Sequence, residues 1–89
     1  MHKFSVYNLK IDKSFVRDLE SNRENAEIIK AIVSLGHALE LNVIAEGCEN
    51  EKELEILKSL QCDAVQGFYF SRPLSTEKAE NFIRQLNSK

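Results

Sequence analysis

Lys10, Glu46 and Gln66 are the residues whose types and placement allow joint chemistry. Each sits near the end of a different short apolar run: Leu9-Lys10-Ile11-Asp12, Ala45-Glu46-Gly47 and Val65-Gln66-Gly67. Taken singly, each has an ordinary explanation. A lone strand lysine is a solvated charge, a carboxylate at a strand end is common, and a half-buried amide only needs hydrogen-bond partners. Brought to one place, an ammonium, a carboxylate and an amide form a candidate site for a single ligand. The elements around them decide whether that happens.

Three segments read as strands and three as long helices, in alternation. Val6 to Asp12 alternates with period two, so that Tyr7, Leu9 and Ile11 share one face and Asn8, Lys10 and Asp12 the other. A short helical turn is expected over residues 14–19. Ser21-Asn22-Arg23-Glu24 has the form of a capping box and opens a long helix. In that helix Ile28, Ile32, Leu35 and Leu39, reinforced by Ile29, Val33 and Gly36, make a stripe suited to covering a sheet. Asn42 to Ala45 reads as the second strand, with Glu46 at its C-terminal end. Asn50 followed by Glu53 marks the next helix start, with Leu54, Leu57 and Leu60 facing inward. Ala64 to Phe70 reads as the third strand, stopped by Ser71-Arg72-Pro73. A last helix from Ser75 or Thr76 buries Ala79, Phe82, Ile83 and Leu86.

Helical connections of this length join parallel strands through right-handed crossovers. The expected fold is therefore α/β, a (βα)3 unit with a three-stranded parallel sheet. Parallel neighbours lie about 5 Å apart with their C-terminal ends aligned, which is the edge where α/β folds bind ligands. Lys10, Glu46 and Gln66 all reach that edge.

Composition narrows the function. The 89 residues carry 12 Lys+Arg against 14 Asp+Glu, a formal charge of −2, and 43% apolar residues. That is one small domain spanning 1–89, without the basic face that a DNA or RNA binder needs to displace counterions. No apolar run is long enough for a membrane span and the first residues lack a signal-peptide core, so the expected location is cytoplasmic. Cys48 and Cys62 read as reduced packing residues. His2 and His37 are assigned no chemistry, and Phe68-Tyr69-Phe70 reads as core or interface.

Three strings carry a resemblance: Leu9-Lys10-Ile11-Asp12 with Ser14-Phe15-Val16, then Ala45-Glu46-Gly47-Cys48-Glu49, then Gln66-Gly67-Phe68-Tyr69-Phe70-Ser71-Arg72-Pro73. In this order and spacing, they resemble the C-terminal part of the EAL domain family, bacterial phosphodiesterases that hydrolyse cyclic di-GMP. The resemblance implies a partial TIM-barrel-like fold made from the last three βα units. It also implies Mg²⁺ or Mn²⁺ as cofactor. Lys10 then matches the lysine that steadies the attacking water and phosphate, Glu46 a metal-holding or water-activating carboxylate, Glu49 a supporting glutamate in the substrate-binding loop, and Gln66 a site-lining amide. Cys48 and Asn50 stand where the family usually has Val and Thr, and Ser5 and Tyr7 where it has Pro and Asp.

The family's signature Glu-Ala-Leu, the Asn and Glu of its early strands and its adjacent Asp pair belong to segments outside these 89 residues. One or two carboxylates hold a hard cation poorly. The expectation is a truncated EAL-type domain, catalytically inactive alone. The alternatives are a cyclic di-GMP-binding or protein-interaction module for another signalling protein, or one half of a complementing phosphodiesterase. Three strands cut from a barrel expose two sheet edges and an inner face, with Ile44, Ala64 and either Phe68 or Tyr69 expected to meet water in a monomer. A homodimer or higher oligomer is expected to cover them.

Overall fold

The computed structural model describes residues 7–67 and 70–87. Strand β1 spans Asn8–Ile11. Val6 lies outside the described residues, and Asp12 leaves the ladder because its carboxylate accepts the Ser14 N–H at 2.9 Å and caps α1 (Lys13–Val16). The expected single turn is thus two: α1, then a 3-10 turn over Leu19–Ser21.

Helix α2 spans Arg23–Ala38, and its cap is Asn22, whose Oδ1 accepts the Asn25 N–H at 3.0 Å. The expected Ser21/Glu24 capping box is therefore displaced by one residue. The cause is local: the Ser21 hydroxyl already donates to the Asp18 carbonyl within the 3-10 turn, at 3.2 Å.

The face that α2 buries also differs from the expected stripe. Ile29, Val33 and Gly36 face the sheet, whereas Ile28, Leu35 and Leu39 are 41%, 59% and 61% exposed. Gly36 sets this rotation. A Cβ at that position would lie 2.6 Å from the Val43 side chain and 3.3 Å from that of Leu9, so the helix backbone rests directly on these two side chains there.

Strand β2 (Asn42–Cys48) runs further than expected. Helix α3 (Glu51–Ser59) starts as the sequence indicates: Asn50 Oδ1 accepts the Glu53 N–H at 2.8 Å, and Glu53 Oε1 accepts the Glu49 N–H at 2.8 Å. Leu54 and Leu57 are buried and Leu60 is half-buried. Burial raises the Glu53 carboxyl above its usual range, opposed by the Glu49 N–H.

Strand β3 covers Ala64–Gly67, and a fourth strand, β4 (Phe70–Ser75), follows. The sheet order is β1-β2-β3-β4, with the first two pairs parallel and the last antiparallel. The third strand expected through Phe70 instead ends at Gly67, and the chain folds back. Pro73 does not stop a strand here but lies within β4, on the sheet's outer edge, where a missing N–H is tolerated. Helix α4 (Thr76–Asn87) buries Ala79 and Ile83 and leaves Phe82 38% exposed; the Leu86 side chain lies outside the described ones. The α/β class holds, as a mostly parallel four-stranded sheet with its helices on one side.

The core lies between that sheet and its helices. Ile11, Val43, Ala45 and Val65 are buried on the helix face, joined by Ile29, Leu54, Leu57 and Val16. Cys48 and Cys62 are free, buried thiols within it, and burial pushes them to about 11 and about 12. They are therefore protonated and inert near neutrality. On the opposite face Ile44 is only 6% exposed, which corrects the expectation that it meets water. Its register partners Lys10 and Ala64 flank it. Ala64 is half-buried, and residues 68 and 69 lie outside the described residues.

Ile29→Ala, at a site with no exposed surface, is expected to destabilise the fold by about 2 to 5 kcal/mol in urea denaturation followed by circular dichroism. Glu53 provides a pH test. Its folded-state pKa lies above the reference value of 4.5, so its contribution is most favourable below that value and declines as pH rises through the folded pKa. Glu53→Gln keeps an acceptor for the Glu49 N–H and should gain stability relative to the parent between pH 4 and pH 7. Glu53→Ala loses the acceptor and should cost about 1 kcal/mol.

Candidate functional site

Strand parity assembles the site. In the parallel register Lys10 aligns with Ile44 and Glu46 aligns with Gln66, so all four point to the face away from the helices. Lys10 lies diagonally from Glu46, with Nζ 3.7 Å from Oε2, and the two side chains are 58% and 35% exposed. At that exposure the pair is solvent-screened and contributes little to stability. It leaves both groups available to a ligand. Gln66 stands directly beside Glu46, one inter-strand spacing of about 4.8 Å away. The structure thus brings together the three residues singled out from the sequence.

Glu49 lies elsewhere, beyond the end of β2 in the turn to α3, exposed and with its backbone N–H committed to Glu53. Gly47 separates it from the ladder. The register passes from Glu46↔Gln66 to Cys48↔Gly67, so Gly47 is the extra residue of a bulge, at φ +80°. A Cβ on Gly47 would lie 2.4 Å from Lys13 Cβ. The exit of β2 is therefore pressed against the start of α1, which fixes the bulge that follows Glu46. Nearby, hydrogen bonding from Ser14 holds the fully exposed Asp12 carboxyl below its usual range.

Sequence reasoning missed the lower half of the same face. Asn42 is 8% exposed and its Nδ2 donates to Asn8 Oδ1 at 3.3 Å across β1 and β2. A concavity of about 370 Å³ opens there, lined by Asn8, Asn42, Ile44, Asp63, Pro73 and Ser75. The signal was present, because Asn8 and Asn42 share parity with Lys10 and Glu46. At the strands' N-terminal ends Asp63 Oδ2 accepts the Val43 N–H at 2.8 Å and lies 2.7 Å from His37 Nε2. His37 thus has a structural tie where none was expected.

The EAL domain profile matches residues 1–73. The chain belongs to the EAL domain family. It is 46% identical over 80 residues to the signaling protein YkoW of Bacillus subtilis, covering 90% of this chain and 10% of that protein. It is 41% identical over 76 residues to the cyclic di-GMP phosphodiesterase NbdA of Pseudomonas aeruginosa, covering 85% and 10%. Among solved structures it superposes on the phosphodiesterase PaMucR in complex with c-di-GMP with a TM-score of 0.68 at 41% identity, covering 82% of this chain and 30% of that one. An EAL domain protein from Listeria monocytogenes gives 0.69 at 38%, covering 90% and 32%. The chain therefore spans about a tenth of the length of these curated relatives and about a third of the solved EAL chains, as part of a TIM-barrel-type α/β domain.

The EAL family is metal-dependent in general, and the residues present fit a metal poorly. Glu46 is a single carboxylate with an ammonium 3.7 Å away. Among the described residues no group of three or more His, Cys, Asp or Glu is placed to hold an ion. A hard cation there would keep most of its coordination positions as water.

Gly47→Ala is expected to destabilise by more than 1 kcal/mol, since it adds a positive-φ penalty to a clash with Lys13. It should also shift the Glu46 backbone resonances in an NMR spectrum while leaving those of α3 in place.

Proposed function

We propose that this EAL chain supplies the cationic and amide side of a cyclic di-GMP phosphodiesterase site and is catalytically inactive by itself. The observation that carries this reading is the convergence of Lys10, Glu46 and Gln66 on one sheet face, at the C-terminal ends of parallel strands. In this reading the Lys10 ammonium offsets charge on the phosphodiester and the Gln66 amide donates to a phosphate oxygen. Glu46 accepts a proton from water or joins carboxylates contributed by further polypeptide. Glu49 supports the loop that follows. Mg²⁺ or Mn²⁺, when bound in a complete carboxylate ring, would lower the pKa of the attacking water and neutralise the phosphodiester. This chain brings too few of those carboxylates to do so.

The chain's own partners, in the same reading, are cyclic di-GMP and a second copy of itself, because among the described residues the sheet ends at β1 and β4 and its inner face is half-open. Two solved relatives are described as bound to c-di-GMP, PaMucR and a standalone EAL protein from Vibrio cholerae, which supports the nucleotide assignment.

The test is an assay of the purified chain with cyclic di-GMP and Mn²⁺, alone and co-expressed with the remaining part of an EAL domain. No turnover is expected alone. Turnover is expected on complementation and should fall at least about 100-fold with Lys10→Met. Steady production of linear dinucleotide by the lone chain would overturn the proposal, and calorimetric binding without turnover in either format would favour the binding-module alternative.

A further inference from the structure

Among the described residues, Asn42 and Glu53 are the two polar side chains that are buried, and Glu53 is 4% exposed. It stands in the first turn of α3, and its Oε1 accepts the Glu49 N–H at 2.8 Å. An ordinary capping box closes on the N–H of the cap residue itself. Here the cap is Asn50, and the Glu53 carboxylate reaches one residue further back, outside the helix. The bond therefore ties down the preceding turn as well as the helix end. Three further contacts converge there. Asn50 Oδ1 accepts the Glu53 N–H at 2.8 Å, the Asn50 carbonyl accepts the Leu54 N–H at 3.1 Å, and Cys48 Sγ donates weakly to that carbonyl at 3.7 Å. Residues 48–50 are thus held by the start of α3, directly after the Gly47 bulge that follows Glu46. Glu49 is exposed in this turn, past the C-terminal end of β2.

We infer that Glu53 is a positioning residue of the candidate site: by gripping the Glu49 backbone, it fixes the turn that presents the Glu49 side chain to substrate. The role in substrate binding rests on the reading above in which Glu49 belongs to a phosphodiester site. The grip itself does not. Stability alone does not account for a carboxylate in this place. Burial opposes its charge, and Glu49, Glu20 and Asp18 add like-charge repulsion, the last two from the 3-10 segment that packs against α3. Of the other titratable groups on adjoining elements, the Cys48 thiol is protonated near neutrality and Lys58, at the far end of α3, is drawn to Glu80 of α4.

The bond to the Glu49 N–H favours the ionised form of Glu53. By linkage, ionisation strengthens that bond in the same measure, since a carboxylate is a stronger acceptor than a neutral acid. Two opposite trends with pH result. The net contribution of Glu53 to stability declines as pH rises through its folded pKa, because desolvation and repulsion outweigh the bond. Anchoring of Glu49 improves over the same rise. The turn next to Glu46 is therefore tighter near neutrality than in acid, in a fold that Glu53 itself makes slightly less stable there.

The test combines amide hydrogen exchange by NMR on the 89-residue chain with kinetics of the chain complemented by the remaining part of an EAL domain. Corrected for intrinsic exchange, protection of the Glu49 N–H in the parent should rise about 3-fold or more from about pH 4.5 to about pH 7. It should stay flat in Glu53→Gln and fall about 10-fold in Glu53→Ala at neutral pH. In the complemented enzyme, Glu53→Ala should raise KM for cyclic di-GMP about 10-fold with kcat within about 3-fold, and Glu53→Gln should hold KM near the parent's. A fall in kcat alone would report lost folded protein and overturn the positioning role, as would Glu49 protection indifferent to Glu53→Ala. No turnover from the complemented parent would overturn the phosphodiesterase reading, and the role in substrate binding with it, while Glu49 protection still decides whether Glu53 holds the turn.

Discussion

The two-residue period of a parallel strand is the constraint on which the rest of this structure depends. Because successive side chains alternate faces, Leu9, Ile11, Val43, Ala45 and Val65 go to the helices while Asn8, Lys10, Asn42, Glu46 and Gln66 go to the other side. A slip of one residue at any pairing would bury Lys10 or Glu46 in the apolar core and expose Val43 or Ile11, at a cost of several kcal/mol per misplaced group. The register that makes the core is therefore the same register that makes the site. No separate device is needed to hold Lys10 near Glu46.

That constraint explains what was legible in the sequence. The faces of β1, the positions of α3 and α4, and the convergence of Lys10, Glu46 and Gln66 all follow from strand parity, helix caps and parallel connections, which are local signals. Asn50 and Glu53 illustrate the point, since both halves of their capping interaction lie within five residues of each other. The Lys10–Glu46 proximity is less local but follows once the strands are known to be parallel neighbours.

The misread features depend on contacts between distant segments. The seven residues of the expected stripe, from Ile28 to Leu39, cover too wide an arc for periodicity to say which part meets the sheet. The choice was made by Gly36 against Val43 and Leu9, contacts that tie the helix to both neighbouring strands. The Ser21 cap failed because its hydroxyl was taken by a turn that the pattern did not resolve. The fold-back at β4 was hidden for a related reason. A proline reads as a strand terminator until the strand is known to lie at a sheet edge, and only the topology supplies that. Ile44 was expected to be bare because three strands taken from a barrel leave the inner face uncovered, whereas it is 6% exposed between Lys10 and Ala64 across the sheet and Asn42 and Glu46 along its own strand.

Strand β1 links the candidate site to the edge of the described sheet. It is four residues long, pairs among the described residues with β2 alone, and carries Lys10. An edge strand with one ladder frays more readily than a central one, since opening it breaks hydrogen bonds to a single neighbour. Lys10 therefore rides on the least restrained strand of the parallel set, while Glu46 and Gln66 sit on β2 and β3, each paired on both sides. A partner strand on the open edge would add a second ladder to β1 without touching the Lys10 side chain, which points out of the sheet plane. Order at the site thus rises with order at the edge. A strand added beside β1 would act on the lysine through the backbone of Asn8–Ile11, and would stiffen the acidic side of the site much less.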